Sequence, residues 1–130
     1  MKLAGKVAIV TGATQGLGHD VARGLVAQGA RVVIAGIDHE AGRAVADAIG
    51  DMARYVGTDI EDDAQIAQCI AATLAHFGQL DLLVNNACVY DDSGLASTRT
   101  QWLHTLNVNL VSAAIFAQQA AAVMPRGGVI

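Results

Sequence analysis

Positive charge is scarce in this sequence. Lys and Arg number eight against twelve acidic residues, for a formal charge of −4. The eight (Lys2, Lys6, Arg23, Arg31, Arg43, Arg54, Arg99 and Arg126) are scattered along the chain. A binder of the phosphate backbone needs a concentrated basic face, so nucleic acid is not an expected partner. Aromatic residues make up only 4%. The core must therefore be built from small and aliphatic side chains, which suits closely packed layers of helix on sheet. Long hydrophobic runs are missing as well. The longest, from Val111 to Met124, is interrupted by Gln118 and Gln119 and is too short and too polar to span a bilayer, so no membrane partner is expected. Residues 1–6 hold no apolar stretch of the signal-peptide kind. The two cysteines, Cys69 and Cys88, have neither metal nor redox spacing, and His19, His39, His76 and His104 stand apart from one another. No metal site is expected. These absences describe a soluble protein of a reducing, cytoplasmic compartment.

What is present is apolar and regularly punctuated. Hydrophobic residues make up 53% and charged residues 15% of 130, which excludes a disordered segment. The length suits one domain, residues 1–130, with one real core. Lys6–Thr11 is a β-branched run ending in glycines, as a buried strand does. Leu17–Gln28 has helical spacing and stops at Gly29. Arg31–Ala35 reads as a second strand, and His39–Ile49 as a helix with Asp38 as its N-cap and Gly50 at its end. Tyr55 and Val56 mark a short third strand. Asp62–Phe77 is a helix ended by Gly78, and Leu80–Val84 a fourth strand. A polar loop from Asn85 to about Thr98 leads into a long helix, Thr100 to about Val123, and Val129–Ile130 resemble the start of a fifth strand. Strands alternating with helices predict an α/β, Rossmann-type doubly wound parallel sheet in the order 3-2-1-4, with a nascent fifth strand and the later strands lacking.

Residues 11–18, Thr-Gly-Ala-Thr-Gln-Gly-Leu-Gly, lie between the first strand and the first helix, where such sheets bind a pyrophosphate. Gly12 allows a sharp exit from the strand, Gly16 lets backbone approach phosphates, and Gly18 lets the helix sit close to the sheet. The free N–H groups of the helix N-terminus then face the anion. The spacing Gly-x-x-x-Gly-x-Gly differs from the broader dinucleotide fingerprint, and no Gly-Lys-Ser/Thr follows as in a P-loop.

This turn, Asp59-Ile60, Asn85-Asn86-Ala87 and Asn107-Val-Asn109-Leu110 resemble, in order and spacing, the motifs of the short-chain dehydrogenase/reductases. The resemblance covers the whole chain. It implies hydride transfer between a nicotinamide and a small alcohol or carbonyl substrate, with Gly12, Thr14, Gln15, Gly16, Leu17 and Gly18 at the cofactor. It places Asp59 at the adenine amino group, with the Ile60 backbone lining the same pocket, although Asp59 is also suited to cap the following helix. It passes the Asn86-Ala87 backbone under the cofactor ribose. Cys88 stands where the family usually has glycine. It adds a Cβ and a sulfur that narrow the site or fill a gap, and is a reactive thiol only if exposed with a lowered pKa. Asn109 becomes a catalytic residue that kinks the long helix and holds a water in the proton relay. A polar residue on a solvated face is the alternative.

The end of the second strand selects the cofactor in such proteins. The usual acidic position appears as Gly36, and the usual basic positions as Ile37 and Gln15. Asp38 lies 20 residues past Gly18, near the expected interval. With neither cationic site filled and an acid nearby, NAD is favoured over NADP, while His39 remains a possible partner for a 2′-phosphate. The family's Ser and Tyr-x-x-x-Lys are absent from these residues: four positions after Tyr55 stands Asp59, and after Tyr90 stands Gly94. The expectation is thus the cofactor-binding half of an oxidoreductase, inactive alone, against the alternative of a non-catalytic dinucleotide-binding or regulatory module. A flavodoxin-like or receiver domain fits the glycine turn less well. An apolar face around Leu103, Leu106, Leu110, Ala114 and Ala117 lacks a partner and predicts a homo-oligomer.

Overall fold

The computed structural model describes all 130 residues. Four parallel strands, β1 (Val7–Thr11), β2 (Arg31–Gly36), β3 (Ala53–Gly57) and β4 (Leu82–Val84), pair in the order β3-β2-β1-β4. Between them run α1 (Gly16–Ala27), α2 (His39–Ile49) and α3 (Asp63–Phe77). The expected fifth strand is present as a single parallel bridge, Val129 beside Leu82, in which the Leu83 N–H donates to the Val129 carbonyl at 2.9 Å.

The central strand shows how the layers arise. All five residues of β1 are buried, because both faces of a parallel sheet are covered. Side chains alternate across the sheet. Val7 and Ile9 join Val33, Leu83, Ile66, Ile70 and Phe116 on one face. Ala8 and Val10 join Val32, Ile34, Ala22 and Ala46 on the other. One core is thus roofed by α3 and the C-terminal helix, the other by α1 and α2. The small residues Ala8, Ala13, Ala22, Ala30 and Ala46 keep the second layer thin.

The long helix is irregular in its middle, at the Asn109 position where the family resemblance implies a kink. It runs from Arg99 to Ala121 but is interrupted: α4 (Arg99–Leu106) and α5 (Ala113–Ala121) flank a π-helical turn at Asn107–Ser112. A π turn adds one residue to the ring closed by each hydrogen bond, which widens the helix and redirects side chains. Here the turn presents Asn107 and Asn109 outward to contacts outside their own helix. The polar loop before it also contains one short 3-10 turn, Gly94–Ala96.

Asp81 ties the start of the sheet together. Its carboxylate accepts from the Val7 N–H at 2.9 Å and the Gln79 amide at 2.6 Å, and pairs with Lys6 at 3.4 Å. Burial alone would raise this carboxyl, but the bonds from Val7, Gln79 and Lys6 together hold it below its ordinary value. An Asp81→Ala variant should lose about 1–3 kcal/mol at neutral pH, since the Val7 N–H is left without its acceptor. Because the folded pKa is depressed, that stabilisation is present above the unfolded carboxyl's value and is lost as pH falls through the folded one. Urea unfolding of both proteins from neutral to acidic pH checks this; a gap that does not narrow toward strong acid contradicts it.

Candidate functional site

A cleft of about 560 Å³ opens at the carboxyl ends of the strands. It sits where β1 and β4 diverge toward helices on opposite faces, the place where open α/β sheets take ligands. Gly12, Thr14, Gln15, Gly16, Leu17 and Gly18 form one wall. Gly36, Ile37, Asp59, Ile60 and Glu61 form a second, and Asn86, Ala87, Cys88, Val89 and Tyr90 a third.

The floor is a tight clasp. The Thr11 hydroxyl, at the end of β1, accepts from the N–H groups of Asn86 and Ala87, both at 3.0 Å, and donates to the Val84 carbonyl at 3.4 Å. The Asn86 side-chain amide donates back to the carbonyls of Thr11 and Gly12 at 3.0 and 3.2 Å. This closeness dictates glycine. A Cβ on Gly12 would lie 2.8 Å from the Ala87 Cα, and one on Gly18 would strike the Asn86 amide and lie 2.5 Å from the Gly12 carbonyl oxygen. Gly16 shares the left-handed φ of Gly12, at +57° against +64°, but a Cβ there would meet only open space. It is glycine for its backbone angle and for the room above it.

The N-terminus of α1 is electrostatically open. Gln15 precedes it in extended conformation and makes no capping bond, and the first turn carries no acid. The other helices of the sheet end are closed by their own side chains: Asp38 caps α2, Asp62 caps α3, and Thr98 and Gln101 form a capping box on α4. The uncapped amides of α1 therefore keep their capacity for an anion.

Other sequence-predicted positions fall less simply. Asp38 is the N-cap of α2, its carboxylate accepting from the Ala41 N–H at 3.0 Å, and it does not line the cleft. Gly36 and Ile37 do, and Ile37 is largely exposed. A Cβ on Gly36 would come within 2.7 Å of Thr14, so an acidic side chain would be crowded there. Asp59 lies beyond the end of β3, not within it, and does not cap α3. Its carboxylate accepts from the Glu61 N–H at 3.0 Å in a local turn, while its own N–H donates to Gln65 at 2.8 Å. Asn109 is exposed on the π turn and not among the lining residues. Its Oδ1 accepts from the Val89 N–H and its Nδ2 donates to the Val89 carbonyl, both at 2.8 Å. It fastens the loop that forms the third wall.

Sequence reasoning missed Ala35, Thr58, Glu61, Val89, Tyr90 and Val108 in the lining, and the clasping role of Thr11. Only Thr11 carried a local signal, a hydroxyl where a β-branched run meets glycine. The others reach the cleft through contacts that no local pattern records.

The matching family model is that of the short chain dehydrogenases, over residues 6–130. A sorbitol dehydrogenase of Cereibacter sphaeroides is 41% identical over 123 residues, 94% of this chain and 48% of that protein. A 3-ketoacyl-(acyl-carrier-protein) reductase of Brucella melitensis, solved in complex with NADH, is similar with a TM-score of 0.88 at 32% identity, covering 93% of this chain and 50% of that one. A blue fluorescent protein from a metagenomic library, solved with NADPH, gives a TM-score of 0.90 at 31% identity, covering 99% and 56%. The chain spans about half the length of these relatives. It belongs to the short-chain dehydrogenase/reductase family of oxidoreductases.

The two thiols should differ sharply. Cys88 is exposed on the cleft wall. Cys69 is buried, and burial pushes its thiol up to about 11 despite a hydrogen bond with Thr58. Iodoacetamide should add one group to the native chain, at Cys88, and the second only after unfolding. Intact mass and peptide mapping read the outcome; two labels on the native protein contradict it.

Proposed function

We propose that the cleft binds NAD(H), and that residues 1–130 are the single dinucleotide-binding domain of an alcohol or carbonyl oxidoreductase. The observation that carries the reading is the uncapped start of α1 beside Gly16, facing the clasp of Thr11 and Asn86. A pyrophosphate fits there, because backbone N–H groups and the helix dipole supply the only concentrated positive potential in the cleft. Gly12, Thr14, Gln15, Gly16, Leu17 and Gly18 hold the phosphates, Asp59 and Ile60 the adenine, and Asn86 and Ala87 the ribose near the reacting end. When bound, the nicotinamide supplies or accepts the hydride.

Asn109 retains one donor hydrogen and one lone pair beyond its bonds to Val89. That capacity supports its reading as the residue that holds a water for proton transfer. The proton-transferring Ser and Tyr-x-x-x-Lys of the family do not occur among residues 1–130. This supports a chain that binds cofactor and does not turn over by itself. The same absence is the specific ground for the second reading, a non-catalytic dinucleotide-binding module; a longer gene product carrying those residues would decide for the enzyme. The apolar stripe of Leu103, Leu106 and Leu110, each roughly half exposed or more, supports self-association. The free thiols support a reducing, cytoplasmic setting.

NAD is preferred over NADP because no Lys, Arg or His lines the cleft. A 2′-phosphate near Ile37 would lack a countercharge. Titration of the chain with NADH, followed by the cofactor's fluorescence, should saturate, with NADPH binding more weakly. Replacing the exposed Ile37 with Arg should improve NADPH binding by about ten- to a hundredfold, since a charge-assisted hydrogen bond contributes about 1.5–3 kcal/mol. Absence of saturable binding by either nucleotide overturns the proposal; preference for NADPH in the parent protein overturns the choice of cofactor. Sedimentation velocity tests the association: a concentration-dependent shift above the monomer is expected, and Leu106→Glu with Leu110→Glu should abolish it.

A further inference from the structure

One cluster of ionisable groups near the cleft has no part in this reading. His104, on α4, stands between two carboxylates, Glu61 of the second wall and Asp91 in the loop just past the third. Its Nδ1 lies 3.0 Å from Asp91 Oδ2 in the loop after β4, and its Nε2 lies 3.6 Å from Glu61 Oε2 in the turn after β3. These are the charged groups that face it, and both are acidic.

Each wall is also held by an asparagine amide from the π turn. Asn109 fixes the loop at Val89, and Asn107 donates to Glu61 Oε1 at 2.9 Å. The two walls therefore share one tie through a histidine, and each has a further tie to an asparagine amide, which does not itself titrate. Tyr90, which lines the cleft, lies between the neutral tie at Val89 and the titratable one at Asp91.

We propose that the imidazolium of His104 is a releasable pin that joins the Asp91 loop to the Glu61 turn at the mouth of the cleft, so that nucleotide is gripped more tightly in mild acid than in mild base. The effect on nucleotide rests on the reading of the cleft given above; the pin itself does not. The sign follows from the chemistry. A doubly donating ring satisfies both carboxylates only when charged. The Asp91 bond, with Glu61 adding to it against some desolvation, holds the imidazole above its ordinary 6.5. The tie is thus complete below that value and is lost as pH rises through the raised one. The ion pairs are exposed, so the change in affinity should be modest, about two- to five-fold.

The test joins two titrations of the whole chain between roughly pH 5.5 and 8.5, the range over which histidine changes charge. NMR follows the His104 ring and the backbone amides of Asp91 and Glu61, while NADH fluorescence gives the dissociation constant. In the parent protein, the amides should move with the His104 midpoint, and affinity should fall across it. In His104→Gln the amides lose that transition and the affinity profile becomes flat. Asp91→Asn should lower the midpoint and shrink the change, and it decides the matter if His104→Gln fails to fold. Amides indifferent to His104 overturn the pin. Amides that follow it while affinity stays constant overturn the coupling. Amides that follow it with no NADH binding at any pH leave the pin standing and overturn the nucleotide reading instead.

Discussion

The geometry of the cleft depends on how closely the end of β1 approaches the end of β4. One side chain from each element makes that approach possible. The Thr11 hydroxyl accepts from two successive amides beyond β4, and the Asn86 amide donates to two successive carbonyls at the end of β1. Backbone polar groups that leave a sheet are costly to bury unpaired. Here each strand end satisfies the other's. The glycines follow from this contact. Gly12 and Gly18 lack side chains because Ala87 and Asn86 occupy the space. Gly16 has no such neighbour. The three glycines of one turn therefore answer to different constraints: Gly12 to packing and a left-handed φ together, Gly18 to packing, and Gly16 to backbone conformation and the space left for a ligand.

The same economy governs the helix starts. An α-helix begins with unsatisfied amides, and a side-chain cap both stabilises it and consumes its affinity for anions. Asp38, Asp62 and Thr98 cap α2, α3 and α4. The helix that faces the cleft is left open. Asp38 shows the consequence for cofactor choice. Sequence interval alone makes it a candidate for a ribose hydroxyl, yet its carboxylate is engaged with Ala41 and lies off the cleft wall. The proposed preference for NAD then rests less on an attracting acid than on the lack of a cation near Ile37.

The layered fold was legible because its signals are local. β-branched runs marked the strands, and Asp38, Gly50 and Gly78 marked helix ends to the residue. Parallel pairing and right-handed crossovers then left few orders open. The glycine turn was legible for the same reason. The π turn was not. It is supported by side-chain contacts at long separation, Asn107 to Glu61 across 46 residues and Asn109 to Val89 across 20. Periodicity in the long helix says nothing about either. Asp59 marks an intermediate case. A cap and a binding role were both readable, and the cap belongs instead to Asp62, because only Asp62 stands at the residue where helical geometry begins.

Charge along the cleft sets the orientation that a dinucleotide would take in the proposed site. No cation lines it, so an anion gains only from the amides and dipole at the start of α1. At the β3 end stand Asp59 and Glu61. A pyrophosphate placed there would meet like charge, whereas an exocyclic amine would meet an acceptor. The cleft is thus polarised, with anion affinity at one end and acceptors at the other, and a ligand whose own polarity is reversed would bind poorly in either direction. Since the attraction comes from fixed backbone dipoles and not from mobile lysines or arginines, it is already organised before the ligand arrives. The orientation is a property of the sheet's topology: α1 and the Asp59 turn both follow strands whose carboxyl ends point the same way, and parallel pairing brings them to the same edge.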